Sequence, residues 1–205
     1  DESSSILIAH NGRDRSRFDL YRLDLVSGKS EPLEQTVDAG TSWSFKKNGE
    51  IFARKRFLSG SDWRFEMLQL DGNWREVIRG GLEDWFSVVG EPDEHGKVYA
   101  ISNRGRDKTA LVQFGLADGS ESIVDQHPIV DYEWIVMDPV KNRPLMGVNH
   151  PDFQERRFFD KDIEADIRSL NMPERPSKKG SSEIRQPRLT AGKKAALSAV
   201  RKRED

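Results

Sequence analysis

Apolar and polar positions alternate through most of this chain with a period of two, the mark of strands that bury one face. Tyr21, Leu23 and Leu25 are separated by Arg22 and Asp24, for example. The alternation comes in repeating units. Ile6-Leu7-Ile8-Ala9 leads to Leu20–Leu25 and Gly28, Ile51-Phe52-Ala53-Arg54 leads to Phe65–Leu70 and Gly72, and Val98-Tyr99-Ala100-Ile101 leads to Leu111–Leu116 and Gly119. Leu25, Leu70 and Leu116 fall 45 and 46 residues apart. A strand-rich repeat of that length is the signature of propeller blades.

A further strand led by an aromatic precedes each Ile- or Val-led strand: Trp43 to Phe45, Trp85 to Val89, and Trp134 to Met137. The turns between them carry Asn48-Gly49, His95-Gly96 and Asn142, residues that accept the positive φ of tight hairpins. Fourth strands follow at 30–33, 75–78 and 121–124. Four antiparallel strands make one blade. The pattern predicts an all-β, partial β-propeller with two complete blades at about 41–80 and 84–126, a partial blade before them, and a hairpin of another at 133–149. Open blade edges invite self-association or the addition of a partner strand.

After Asp152 the period changes. Phe158, Phe159, Ile163, Ile167 and Leu170 follow helical spacing, with Asp160 or Asp162 as N-cap, and the helix ends before Pro173. Residues 171–205 hold ten Lys plus Arg against four acidic residues, which leaves 23 basic and 31 acidic in 1–170. Two regions follow: a mildly acidic blade region, 1–170, and a basic tail, 171–205, that reads as disordered, with a marginal helix at 191–203.

The absence of cysteine excludes disulfides, thiolate catalysis and Cys-based zinc sites. No apolar run approaches the roughly 20 residues that span a bilayer, so no membrane partner is expected. The expectation is a soluble chain whose compartment the sequence leaves open, with the cytoplasm favoured. The basic runs Lys178-Lys179, Lys193-Lys194 and Arg201-Lys202-Arg203 have no interleaved aromatic, and no nucleic-acid partner is expected. No phosphate loop or dinucleotide fingerprint occurs, and no cofactor is expected.

The stretch Ser102-Asn103-Arg104-Gly105-Arg106-Asp107-Lys108-Thr109-Ala110-Leu111-Val112 resembles a blade segment of the prolyl-oligopeptidase family of serine peptidases. His10-Asn11-Gly12-Arg13-Asp14 leading into Asp19–Leu25, and Arg156-Arg157-Phe158-Phe159-Asp160, are similar to the same propellers in their acylaminoacyl-peptidase-like branch. The resemblance implies a propeller that covers an α/β-hydrolase domain and limits substrates by size, with that domain or the remaining blades as partners. A nucleophile elbow reads G-x-S-x-G. The one pair of glycines four apart is Gly115 and Gly119, with Ala117 between them, so no catalytic residue is carried over. The expected role is a non-catalytic propeller portion. The alternative is a free-standing, propeller-like module, akin to WD40-type repeats, that binds a protein or peptide.

Arg13, Asp14, Arg104, Arg106 and Asp107 are the candidate polar contacts. Arg suits bidentate recognition of a carboxylate. As a functional group they would line one propeller face and hold a substrate terminus or the hydrolase domain. The favoured structural reading is a loop Asp accepting backbone N–H bonds beside Arg–Asp pairs that join neighbouring blades. Trp43, Trp85 and Trp134 recur at one blade position and are expected in the core, whereas Trp63 and Trp74 lack that repetition and are the candidate exposed aromatics. His10, His95, His127 and His150 lack metal spacing. Asp160, Asp162, Glu164 and Asp166 lack the glycine and terminal Glu of a calcium loop and read as a capped, acidic helix face.

Overall fold

In the computed structural model, which describes residues 4–38 and 40–170, the alternation resolves into four antiparallel sheets following one another along the chain. The first holds β1 (Ser5–Asp14), β2 (Arg17–Asp24) and β3 (Ser30–Glu34). The second holds β4 (Gly40–Phe45), β5 (Ile51–Phe57), β6 (Trp63–Leu68) and β7 (Trp74–Gly80). The third holds β8 (Phe86–Val89), β9 (Lys97–Ser102), β10 (Ala110–Gly115) and β11 (Glu121–Gln126). The fourth holds β12 (Tyr132–Asp138), β13 (Arg143–Asn149) and β14 (Glu155–Phe158), followed by α1 (Lys161–Ser169). Every strand pairs with its sequence neighbour within its sheet, and no sheet closes into a barrel. This is a partial propeller: two four-stranded blades flanked by two of three strands.

One expectation is corrected. Phe158 belongs to β14, where Met146 pairs with Phe158 and Asn149 with Glu155, so the last sheet gains a strand beyond its hairpin. A short strand satisfies its backbone against the open edge of β13, and the helical spacing takes over at Asp160. That residue caps α1, accepting from the Asp162 and Ile163 backbone N–H groups at 2.9 and 3.1 Å. The tail at 171–205 lies outside the described residues.

The core sits between the second and third blades. Phe65, Phe86 and Phe114 form a triangle of edge-on rings with centroids 4.7–5.9 Å apart, the arrangement that suits the ring quadrupole. A smaller cluster of Ile101, Leu111 and Tyr132 joins the third blade to the fourth. On the face that carries the β4–β5, β8–β9 and β12–β13 turns, polar bonds run from blade to blade. Lys47 donates its backbone N–H to Glu91 at 2.9 Å and its Nζ to the Val140 carbonyl at 2.9 Å. Asn142, left-handed at φ 49°, accepts from Glu91 N–H at 3.0 Å and donates to the Glu91 carbonyl at 2.7 Å. Side-chain amides tolerate that conformation better than other non-glycine residues.

Candidate functional site

The polar residues singled out by sequence fall into two separate clusters. In the first blade Arg13 forks onto Asp19, Nε to Oδ2 at 2.6 Å and Nη2 to Oδ1 at 2.8 Å, and reaches the Thr36 carbonyl at 2.9 Å. Asp19 is fully buried and also accepts from Thr36 N–H at 2.7 Å. The guanidinium and these bonds hold its pKa down at about 2. Asp14 turns to its own hairpin, accepting from the Ser16 backbone and hydroxyl, which lowers its pKa. In the third blade Arg104 and Arg106 converge on Glu121 at 3.2 and 2.6 Å, and Ser102 Oγ donates to the same carboxylate at 2.8 Å. Asp107 stands in solvent beside Lys108 at 3.2 Å.

Both clusters brace single blades. The ion pairs that join neighbouring blades are others: Lys47 with Glu91 at the second joint, at 3.1 Å, Arg157 with Asp125 at the third, and a denser set at the first. There Glu34 of β3 accepts from Arg54 and, at 2.6 Å, from Trp43 Nε1, and Asp38 pairs with Arg56. Arg54, Arg56 and Arg64 surround buried Glu66, whose nearest contacts are Arg54 Nε at 2.6 Å and Arg64 Nε at 2.8 Å. Cross-strand pairing explains this crowding, because Arg54 faces Glu66 and Arg56 faces Arg64 across β5 and β6.

The aromatic assignments change. Trp63, expected at the surface, is only 3% exposed. It faces Phe57 across β5 and β6, and its Nε1 donates to the Gly81 and Asp84 carbonyls at 3.1 and 3.0 Å. Trp74 is half-buried and lies over the Arg54 guanidinium, 4.0 Å from its ring centroid. Trp85 and Trp134, expected in the core, are 57% and 42% exposed. Trp85 precedes β8 in the connection from β7, and Phe86, the next residue, takes the inward position. Trp134 lies on β12, the first strand of its sheet, beside the His150 ring at 6.0 Å.

A cavity of about 510 Å³ lies between the second and third blades. Trp43 and Ser44 of β4, Phe57 of β5, Trp63 of β6 and the 81–88 segment line it. Lys55 projects into it among rings, with Nζ 4.2 Å from the Trp63 centroid, 5.2 Å from Phe57 and 5.8 Å from Trp85. Its Nζ donates to the Phe86 carbonyl at 3.1 Å. Burial lowers its pKa. The sequence reading passed over Lys55, although its signal is there: on the face shared by Ala53 and Phe57, alternation calls for an apolar residue and supplies a cation.

A smaller cavity of about 250 Å³ lies between the third and fourth blades. Most of its charged groups face one another, whereas Arg156 donates to the Gln154 side chain at 3.3 Å. Tyr132 donates to Asp125, Arg157 pairs with Asp125 at 3.0 Å, and His127 Nε2 stands 3.5 Å from Glu155. His10 packs its ring against Tyr21 at 4.0 Å. Among the described residues no group of three or more His, Asp or Glu is placed to hold a metal, and no helix is long and apolar enough to cross a membrane.

Fold and cavity together define a partial propeller with a ring-lined recess at one blade joint. No protein-family model matches the sequence, and no curated protein does. Among solved structures, the chain is similar to TolB from Acinetobacter baumannii, with 11% identity and a TM-score of 0.51 over 76% of this chain and 37% of that one. A structure of puromycin hydrolase aligns at 10% identity and a TM-score of 0.46, over 72% of this chain and 32% of that one. The chain thus spans about a third of the length of these structures, and the likeness to TolB speaks to the fold.

Proposed function

We propose that this chain is a non-catalytic propeller portion that recognises peptide segments, in the manner of the substrate-gating propeller of a prolyl-oligopeptidase-family serine peptidase. The observation that carries the reading is the recess at the second joint. Its volume falls in the range of small-ligand sites, and it combines apolar ring walls with a few polar groups. The blade segment Ser102–Val112 supports the peptidase side of the reading. Catalysis belongs to an α/β-hydrolase partner domain, and the propeller contributes exclusion and positioning.

A second reading, a free-standing module that captures a strand, is favoured by β11. This strand ends its sheet and leaves Ile123 and Val124 54% and 43% exposed.

The test is a titration of the full chain with tetrapeptides of varied end residues, followed by tryptophan fluorescence and backbone amide shifts. Shifts centred on Ser44, Trp63 and Trp85 support recognition at the recess. Shifts along Glu121–Gln126 favour strand capture instead. Flat titrations at millimolar peptide overturn both.

A further inference from the structure

Lys55 poses a chemical problem that the fold leaves unsolved. An ammonium has three donors, and one bond is made here, to the Phe86 carbonyl at 3.1 Å. Three rings surround it. Among the described residues no carboxylate lies within ion-pair distance of it, whereas neighbouring Arg54 and Arg56 each have two. A cation taken from water without a counter-charge costs stability, and the lowered pKa of Lys55 is the sign of that cost. A Met or Leu would fill the same wall without it. The cavity's other charged side chain, Asp84, spends Oδ2 on the Gly81 N–H at 2.8 Å.

The recess therefore presents one under-bonded cation among rings, with the hydroxyls of Ser42, Ser44 and Ser87 along the first strands of both blades. That complement fits an anion attached to an apolar body. A carboxylate is the anion that one ammonium and nearby hydroxyls can satisfy, since a phosphate or sulfate calls for more positive charge.

Resting on the peptide-binding reading above, we propose that the joint between the second and third blades is a carboxylate-binding site. Lys55 receives the free C-terminal carboxylate of a peptide, and Trp63 and Trp85 hold a large apolar side chain at its last residue. A small hydrophobic acid shares this chemistry and is separated by the test.

The full chain is titrated with Ala-Ala-Ala-Phe, its C-terminal amide, N-acetyl-phenylalanine and N-acetyl-phenylalanine amide, reading tryptophan fluorescence and amide shifts. Each acid is expected to bind at least tenfold more tightly than its amide, and the tetrapeptide acid at least as tightly as N-acetyl-phenylalanine. Equal binding of acids and amides overturns the carboxylate assignment while leaving peptide recognition standing. N-acetyl-phenylalanine binding tenfold more tightly than the tetrapeptide overturns the peptide terminus in favour of a small acid. Failure of all four probes, with other tetrapeptides still shifting the recess, overturns this inference alone. Failure of every peptide overturns the function proposed above as well. Lys55→Met is expected to erase the acid preference. Asp84→Asn, which keeps an acceptor for Gly81, is expected to tighten acid binding several-fold. In the unmodified chain the Lys55 side-chain NMR titration is expected to move to higher pH with the tetrapeptide acid and to stay put with the amide. An unmoved titration in saturating acid overturns the contact.

Discussion

Arg13 grips Asp19 with both arms of its guanidinium, at 2.6 and 2.8 Å, and the carboxylate it holds is fully buried. Asp19 in turn takes the Thr36 N–H, so the pair fixes the path by which the first blade hands the chain to the second. Its folded pKa of about 2 lies below the ordinary carboxylate value of about 3.9. A depressed carboxylate contributes stability that is present above the unfolded pKa and lost as pH falls through the folded one. Melting temperature is expected to fall between about pH 4 and pH 2, and Asp19→Asn should flatten part of that fall. At neutral pH the substitution is expected to cost on the order of 2 kcal/mol. Thermal melts of both proteins across this range decide it; parallel curves would remove Asp19 from the account.

Glu66 is a buried carboxylate among three arginines. Removing its charge leaves Arg64 facing Arg56 across the strands. Glu66→Gln is expected to cost about 3–5 kcal/mol, seen as a lower urea midpoint with an unchanged slope. A loss below about 1 kcal/mol would mean that Glu34 and Asp38 suffice to hold Arg54 and Arg56 and that Arg64 needs no carboxylate.

Lys55 behaves in the opposite way. Its folded pKa lies below its unfolded one, so the native state binds its proton less readily and this group's contribution to stability grows as pH rises from the folded pKa towards about 10.4. Lys55→Met should leave the melting temperature at pH 7 unchanged or raise it, since the desolvation cost disappears. A drop of more than about 1 kcal/mol would make Lys55 a structural residue.

Trp63 and Trp85 touch the same recess with different duties. Trp63→Ala is expected to cost about 3–5 kcal/mol through lost packing, because the ring is buried and its Nε1 ties down the 81–84 turn. Trp85→Ala should stay within about 0.5 kcal/mol while weakening peptide binding. Chemical denaturation read beside the titrations separates the two duties; similar stability losses would contradict it.

Gly119 has φ +70°, and a Cβ there would stand 2.8 Å from Ile78 Cγ2 and 3.3 Å from the Val77 carbonyl of the preceding blade. The turn is also bonded by Arg75, which donates to the Leu116 and Ala117 carbonyls at 2.8 and 3.1 Å. Gly119→Ala is expected to cost about 1–3 kcal/mol, with amide shift changes along β7 as well as in its own turn. Changes confined to the turn would mean that this contact is soft.

The blades were legible because period two and glycine-marked turns are local signals. Gly49 and Gly96 adopt the positive φ that Asn48-Gly49 and His95-Gly96 announce, and Gly119 does so in the turn it marks. The short strand β14 was hidden by the helical spacing that begins inside it at Phe158. Recurrence placed Trp43, Trp85 and Trp134 at one blade position, but a position on or beside a first strand is not by itself a buried one. Trp85 and Trp134 show this through their exposure. Arg104 and Arg106 were found as a pair, while Glu121, fifteen residues beyond Arg106, has no sequence sign that it receives them. The recess depends on which blade face meets the next blade, and that is settled only by packing.

The second blade is two-sided in a way that temperature can read. Towards the first blade it offers guanidinium and carboxylate groups, and towards the third a nest of phenylalanines. Apolar burial weakens on cooling, whereas charge pairing loses less to dehydration as the temperature climbs. Cold should therefore loosen the seam that forms the recess, and added salt the seam beside Glu34, so two ends of one blade answer to different stresses.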